Sequence, residues 1–201
     1  MFNSKEFANN ANHAASSILY KYFSTQKLES VRWDSDFDHA SNWEVVPIYL
    51  NYLWAIQEMH TFEHPLASLG KGIFVESLNS TAIDRFGDAI SHLKNYIETG
   101  LVNYIGVSRL PAQTILKPHA HQNVGNLKLH CSVFCPPACG LMYTDKSGLT
   151  KIHQWPQTTS SIYFNDNNMH SAWNNSEIDR YVLILDFNAQ LLSDHRSIKN
   201  V

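Results

Sequence analysis

The chain has 201 residues, of which 44% are hydrophobic and 16% charged, and its formal net charge is −3. This length is sufficient for a sizeable core, and the composition excludes a collagen-like or largely disordered chain. The sequence contains no run of about 18 apolar residues, so no membrane span is expected. Lysine and arginine form no cluster, so nucleic-acid binding is not expected either.

The N-terminus and the cysteines predict a cytoplasmic protein. The first ten residues lack the basic start and apolar stretch of a secretory signal. Cys131, Cys135 and Cys139 form neither a closed disulfide set nor a Cys-x2-Cys zinc pair. We therefore expect ordinary buried thiols at these positions.

The first half of the chain is predicted to be largely helical. Apolar residues at helical spacing indicate helices over Phe7–Phe23 and Asn79–Gly100, with Gly100 as a stop. Between them, Trp43–Leu50 is typical of a strand, and an apolar segment at 52–56 and a turn-rich stretch at 64–72 follow. No repeat or low-complexity linker divides the chain, which predicts a single domain over residues 1–201.

From Tyr104 onward, short runs of β-branched and aromatic residues alternate with turn residues, as in sandwiches and barrels. About eight strands are predicted, at Asn103–Leu110, Thr114–His119, Asn126–Phe134, Cys139–Tyr143, Leu149–His153, Ser161–Phe164, His170–Trp173 and Arg180–Phe187. This number suits a double-sheet jelly roll over residues 103–188. Residues 1–102 would brace it, and residues 189–201 would form a tail.

Histidine is the unusual residue type, at 11 of 201 residues. His119 and His121 are two residues apart, so on a strand both project from one face and can converge on one ion. His170 begins a late strand that a jelly roll can bring to the same place. Such a set resembles the facial triad of non-haem iron enzymes, with His121 in the position of the carboxylate.

Two predicted strands carry cations that alternation can turn inwards. The last strand is apolar on both faces, so it is expected to be buried, with Arg180 at one end. A buried guanidinium needs a carboxylate partner, from a ligand or from the protein. The candidate protein partners are Asp179, Asp186 and Glu177. On the strand Asn126–Phe134, Lys128 and His130 are either inward, beside an anionic ligand, or solvated.

Together these residues resemble the aspartyl/asparaginyl β-hydroxylases, which are iron(II)- and 2-oxoglutarate-dependent oxygenases. The shared motifs are Pro118-His119, Lys128-x-His130, Phe164-Asn165-Asp166 and His170-x2-Trp173 followed by Arg180. The resemblance covers about Tyr104 to Phe187, and Trp43–Leu50 is similar to the family's early strand. It implies a mainly β (α+β) fold, a cupin-like double-stranded β-helix braced by N-terminal helices, in one oxygenase domain.

The resemblance also implies site roles. His119 and His170 would bind Fe(II), while Arg180 and Ser108 would bind the distal carboxylate of 2-oxoglutarate. Lys128 occupies the position of a family arginine near the metal-proximal end of this co-substrate, and His130 matches a histidine of that neighbourhood. Lysine lacks the bidentate fork of arginine, so its contact would be weaker or differently oriented.

His121 departs from the family, whose animal aspartyl hydroxylases have a small residue at this position. It would complete a three-histidine metal site, contact a metal-bound water, or point away.

The activity implied is hydroxylation of an unactivated C–H bond with dioxygen and 2-oxoglutarate. The substrate would contain an amino-acid unit, either free, in a peptide or in a small natural product. Two alternatives stay open. One is a three-histidine cupin-type dioxygenase or isomerase that does not use 2-oxoglutarate, and the other is a non-catalytic binding barrel.

Overall fold

Two antiparallel sheets dominate the computed structural model, which describes residues 3–22, 31–32, 43–51, 88–120, 126–155 and 160–188. In chain order the strands are β1 (Val31–Arg32), β2 (Glu44–Leu50), β3 (Val102–Leu110), β4 (Thr114–His119), β5 (Asn126–Phe134), β6 (Cys139–Thr144), β7 (Thr150–Gln154), β8 (Ser161–Asn165), β9 (His170–Asn174) and β10 (Arg180–Asn188). The larger sheet has the order β1-β2-β3-β10-β5-β8, and the smaller has the order β4-β9-β6-β7. The predicted jelly roll is confirmed, and each of the eight predicted strands agrees to within one residue at each end.

The helices also follow the sequence pattern where they are described. Helix α1 (Ser4–Tyr22) begins where Asn3 Oδ1 accepts hydrogen bonds from the N–H groups of Lys5 and Glu6, both at 3.2 Å. A 3-10 turn (Ser91–Leu93) leads into helix α2 (Lys94–Glu98). The stop predicted at Gly100 is confirmed by its φ of +70°, which glycine adopts without strain. Within the described part of the chain, no helix has the length and apolar character that a membrane crossing requires.

Some predicted features lie outside the described residues. These are the start of the second helix at residues 79–87, the apolar segment at 52–56, the stretch at 64–72 and the tail at 189–201.

Helix α1 covers the outer face of the larger sheet. Its buried side chains recur at helical spacing and are Phe7, Ala11, Ala14, Ala15 and Ile18. They pack with outward side chains of β3, β5 and β10, among them Ile105, Leu129 and Leu183. Full burial of an aliphatic or aromatic side chain contributes about 1.5–3 kcal/mol to the stability of the fold. Packing against α1 therefore stabilises the larger sheet through its outer face. The inner face can then carry polar side chains.

The inner face of the larger sheet carries polar side chains in rows that the strand register defines. Residues two apart on a strand share a face, so every second residue of β3, β10 and β5 points to the smaller sheet. The rows across β3, β10 and β5 are Tyr104–Asp186–Lys128, Gly106–Ile184–His130 and Ser108–Val182–Ser132, and Arg180 lies opposite Leu110. The predicted site residues of these strands thus share one buried surface.

Asn174, at the end of β9, ties the two sheets together. It is completely buried, and its amide donates hydrogen bonds to the carbonyl oxygens of Leu110 at 3.0 Å and Ile178 at 2.9 Å. Its Oδ1 accepts hydrogen bonds from the Cys139 thiol at 3.0 Å and the Ser176 hydroxyl at 2.6 Å. One side chain therefore joins β3 of the larger sheet to β6 and β9 of the smaller sheet.

Asn174→Ala is expected to lower the free energy of unfolding by about 3 kcal/mol or more, because it leaves several buried polar groups unpaired. Urea unfolding followed by circular dichroism measures this change. The neighbouring Asn175 is exposed, so Asn175→Ala is the matched control and should stay within about 0.5 kcal/mol of the wild type. Equal effects of the two variants would contradict the role given to Asn174.

Candidate functional site

His119 and His170 lie side by side between the sheets. They are register partners on β4 and β9, and their ring centroids are 4.2 Å apart. The register shifts by one residue between Leu116 and His119, so that His119 instead of Pro118 lies opposite His170. This β-bulge turns His119 inwards, and its side chain is buried whereas those of Lys117 and Pro118 are exposed.

Both rings are held in the tautomer that a metal ligand requires. His119 Nδ1 donates to the carbonyl oxygen of Lys117 at 2.7 Å, and His170 Nδ1 donates to that of Asn168 at 2.9 Å. Because a carbonyl oxygen only accepts, each Nδ1 carries a proton, which leaves each Nε2 as the ring nitrogen that can bind a metal. Burial lowers the pKa of His170 to about 4, so this ring is neutral at physiological pH. The pair fits two ligands of a transition metal such as Fe(II).

The predicted third histidine, His121, lies outside the described residues. Within those residues, no group of three or more His, Cys, Asp and Glu side chains is arranged to hold a metal. The three interpretations of His121 therefore stay predictions.

Asp166 is a site residue to which the sequence reasoning gave no role. It is buried in the turn between β8 and β9, with its Oδ1 3.6 Å from His170 Nε2. Its Oδ2 lies 3.2 Å from Lys128 Nζ. The signal was present in the sequence, because Asp166 precedes His170 by four residues in a turn. A carboxylate next to the histidine pair favours a bound cation.

Lys128 is engaged by two carboxylates. Its ammonium group donates to both oxygens of Asp186, at 2.9 and 3.0 Å, besides its ion pair with Asp166. Burial lowers the pKa of Lys128, but the two carboxylates outweigh burial and leave this pKa above its ordinary value. The predicted contact with 2-oxoglutarate stays a prediction, and the observed contacts give Lys128 another role, as the residue that positions Asp166.

Arg180 has no carboxylate partner among the described residues. It is buried, and its Nη1 donates to the carbonyl oxygen of Gly140 at 3.1 Å, whereas its Nε has no hydrogen-bond acceptor in that part of the chain. The Trp155 ring centroid lies 5.9 Å from its guanidinium carbon. Burial lowers the pKa of Arg180, because the charged guanidinium loses its hydration inside the protein.

The three protein carboxylates considered as partners of Arg180 bind other groups. Asp186 binds Lys128, Asp179 accepts from Arg109 at 2.7 Å, and Glu177 accepts from Gln113 at 3.0 Å. The alternative interpretation, a structural salt bridge from Arg180 to one of these three carboxylates, is thus not found in the described residues, and the guanidinium remains available to a ligand anion.

Two more predicted residues lie on the same inner surface. His130 is buried edge-on against the Phe164 ring, with centroids 4.8 Å apart, so the interpretation as a solvated residue is wrong. Burial and the nearby cations hold its pKa well below the ordinary value, which keeps the ring neutral. Ser108 is also buried, and its hydroxyl accepts a hydrogen bond from Trp43 Nε1 at 2.8 Å. The sequence placed Trp43 at the start of a predicted strand in an aromatic-rich segment that could line the pocket, but it did not predict this contact between positions 65 apart.

The site therefore has two ends of opposite character. At one end, two buried imidazoles and a carboxylate suit a metal cation. At the other end, Arg180 lies among neutral groups and suits an anion. The donor set fits a metal together with a ligand that carries a carboxylate.

The Lys128 bridge gives a stability prediction. Lys128→Met is expected to lower the free energy of unfolding by about 3 kcal/mol or more, since it leaves Asp186 buried without its counter-ion. Lys151 pairs with Asp145 at 3.7 Å on the surface, so Lys151→Met is the matched control, with an expected change below about 1 kcal/mol. Urea unfolding measures both. Similar changes in the free energy of unfolding for the two variants would show that the buried bridge stabilises the fold no more than the surface ion pair does.

A comparison with known protein families gives the family of the chain. The family model described as aspartyl/asparaginyl beta-hydroxylase matches residues 21–190. A search of curated proteins finds no match.

Solved structures with similarity to the chain include cupin domains. A predicted oxalate decarboxylase from Thermotoga maritima is 14% identical, with 47% of this chain and 73% of that chain covered and a TM-score of 0.33. The Cnp3 cupin domain of Schizosaccharomyces pombe is 14% identical, with 48% and 64% covered and a TM-score of 0.33. For an oxalate decarboxylase variant from Bacillus subtilis the identity is 15%, the TM-score 0.37 and the coverage 50% of this chain, but only 24% of the Bacillus chain.

The family match includes most of the chain and contains the histidine pair, Ser108, Lys128, His130 and Arg180. The chain belongs to the aspartyl/asparaginyl β-hydroxylase family.

Proposed function

We propose that the protein is an Fe(II)- and 2-oxoglutarate-dependent dioxygenase that hydroxylates an unactivated C–H bond in an amino-acid unit. The observation that supports this proposal most directly is the buried Arg180, whose guanidinium faces no carboxylate within the described residues. Such a cation, inside the same jelly roll as a pair of buried histidines, matches the needs of a metal-chelating dicarboxylate.

In this proposal the two ends of the site divide the work. His119 and His170 bind Fe(II) through Nε2, and Asp166 lies against the metal end. Arg180 and Ser108 bind the distal carboxylate of 2-oxoglutarate. When bound, Fe(II) with this co-substrate supplies the oxidising chemistry, in which dioxygen is consumed and succinate and carbon dioxide are released.

The protein side chains orient the ligand and keep water out. The guanidinium fork of Arg180 fixes one end of the co-substrate and thereby its distance from the histidine pair. Buried apolar groups, among them Trp155, Phe164 and Ile184, enclose the interior and raise the strength of each polar contact. The substrate as an amino-acid unit is part of the proposal and rests on the family.

The test is an anaerobic titration. Fe(II) is added to the metal-free protein, followed by 2-oxoglutarate, and the weak visible charge-transfer band of the chelate is recorded. We expect a band for the wild type and none for His119→Ala, which loses a metal ligand. Arg180→Met should keep Fe(II) but weaken 2-oxoglutarate binding at least about 100-fold, because a charge-assisted bidentate contact is lost.

Arg109→Met is the matched control for the arginine variant. Arg109 lies on β3 but is half-exposed and binds Glu44 at 2.8 Å and Asp179, outside the interior, so its loss should leave the band unchanged. Equal weakening in both arginine variants would contradict the anion site.

The two alternative functions give other outcomes of the same titration. Iron binding without a band would favour the three-histidine dioxygenase or isomerase, with Arg180 and Ser108 binding the substrate. No iron binding by a folded protein would favour the non-catalytic barrel. If the band forms, succinate release in air identifies substrates among amino acids and peptides.

A further inference from the structure

The interior around Arg180 contains an unusual set of buried polar groups. Within the described part of the chain, these groups have no hydrogen-bond partner: Tyr104 Oη, Trp155 Nε1, His153 Nε2, Arg180 Nε and both ring nitrogens of His130. Nine in ten or more buried polar groups are hydrogen-bonded in folded proteins. The unpaired groups near Arg180 are mainly hydrogen-bond donors. Such a cluster indicates a binding place for a ligand with several hydrogen-bond acceptors.

Tyr104 is the member of this set with the clearest geometry. It is only 4% exposed, and it stands on β3 in the row of Asp186 and Lys128. Its phenol lies along the strand over Gly106, where a Cβ would collide with the hydroxyl. Glycine at 106 thus makes room for the ring and lets the hydroxyl reach the next row, which contains His130.

The surroundings of Tyr104 connect it to Arg180. Tyr104 packs in one cluster with Trp155, Cys135, Cys139 and Val182. The Trp155 ring in turn lies against the guanidinium of Arg180. The hydroxyl therefore belongs to the enclosure of the anion site instead of to the apolar layer under α1.

The nearest acidic group does not accept from this hydroxyl. Asp186 is the register neighbour of Tyr104, but its two carboxylate oxygens accept hydrogen bonds from the ammonium group of Lys128. Burial and the Asp186 charge both raise the pKa of Tyr104, so the phenol stays protonated and is a donor. A phenylalanine would fill the same space without burying a hydroxyl, so the oxygen has a cost in the ligand-free protein.

We propose that the Tyr104 hydroxyl donates a hydrogen bond to the carboxylate ligand that Arg180 holds, as a further binding residue for that ligand. The inference rests on the proposed function in that the ligand is taken to be 2-oxoglutarate. The matched family motifs give Tyr104 no role, and the sequence shows only an aromatic residue at the start of a buried strand.

The experiment compares Tyr104→Phe with the wild type in two measurements. The dissociation constant of 2-oxoglutarate is obtained from the charge-transfer band of the Fe(II)-loaded protein without oxygen. The thermal unfolding midpoint is obtained for the Fe(II)-loaded protein without 2-oxoglutarate. We expect the dissociation constant to rise about 10-fold or more, because a buried donor to a charged acceptor is lost, while the midpoint stays equal or rises.

Tyr163→Phe is the matched control. The Tyr163 hydroxyl donates to the carbonyl oxygen of Ser4 at 2.8 Å, on the outer side that α1 covers. Its removal should therefore lower the unfolding midpoint and leave 2-oxoglutarate binding unchanged.

The outcomes separate this inference from the proposed function. An unchanged dissociation constant in Tyr104→Phe, with binding still weakened about 100-fold or more in Arg180→Met, overturns the inference and leaves the proposed function standing. Weaker binding together with a lower midpoint also overturns it, because the hydroxyl would then have a structural partner. If the wild type binds Fe(II) but not 2-oxoglutarate, both proposals fail.

Discussion

Arg180 is a cation inside the jelly roll, and none of the described residues places a carboxylate beside it. The free energy needed to bury this charge constrains the groups around it. Moving a guanidinium out of water costs several kcal/mol unless partners compensate. One carbonyl oxygen, from Gly140, and the face of Trp155 compensate only in part. The titratable groups nearby are kept neutral, because burial lowers the pKa of His130 and raises the pKa of the Cys135 thiol to about 12. A single unneutralised charge in such surroundings stabilises an anion more than it stabilises the fold.

Lys128 shows the opposite arrangement on the same inner surface. Its ammonium group is paired with the carboxyl groups of Asp186 and Asp166, and this pairing brings carboxylate oxygens to the end that contains His170. The interior is therefore polarised, negative beside the histidine pair and positive at Arg180. In the proposed function, this polarity would direct the metal cation and the carboxylate ligand to different ends of the site. This polarity requires the register of β5 against β10, because a slip of β5 by one residue would turn Lys128 to the outer face, away from Asp186.

The sequence was sufficient for the strands, because alternating apolar residues and turn residues are local signals. It was also sufficient for the burial of all three cysteines, which are free thiols as expected. The position of His119 was predictable, but the bulge that turns it inwards was not, since the same-face argument assumed regular alternation. Contacts between residues that are far apart in the chain were also not predicted. The bridge from Lys128 to Asp186 and the bond from Trp43 to Ser108 depend on register and packing, which no local pattern contains.

The lysine at position 128 also has a consequence for how the proposed co-substrate is held. An arginine fork matches one carboxylate in a plane, whereas an ammonium group has tetrahedral donors that can serve carboxylates from two directions. Lysine therefore suits a bridge between Asp186 and Asp166, and the bridge fixes Asp166 next to His170. A lysine engaged in this way has less to offer to an incoming anion than the family arginine that it replaces. In the proposed site, affinity for 2-oxoglutarate must then come mainly from residues other than Lys128, namely Arg180, Ser108 and the hydroxyl of Tyr104.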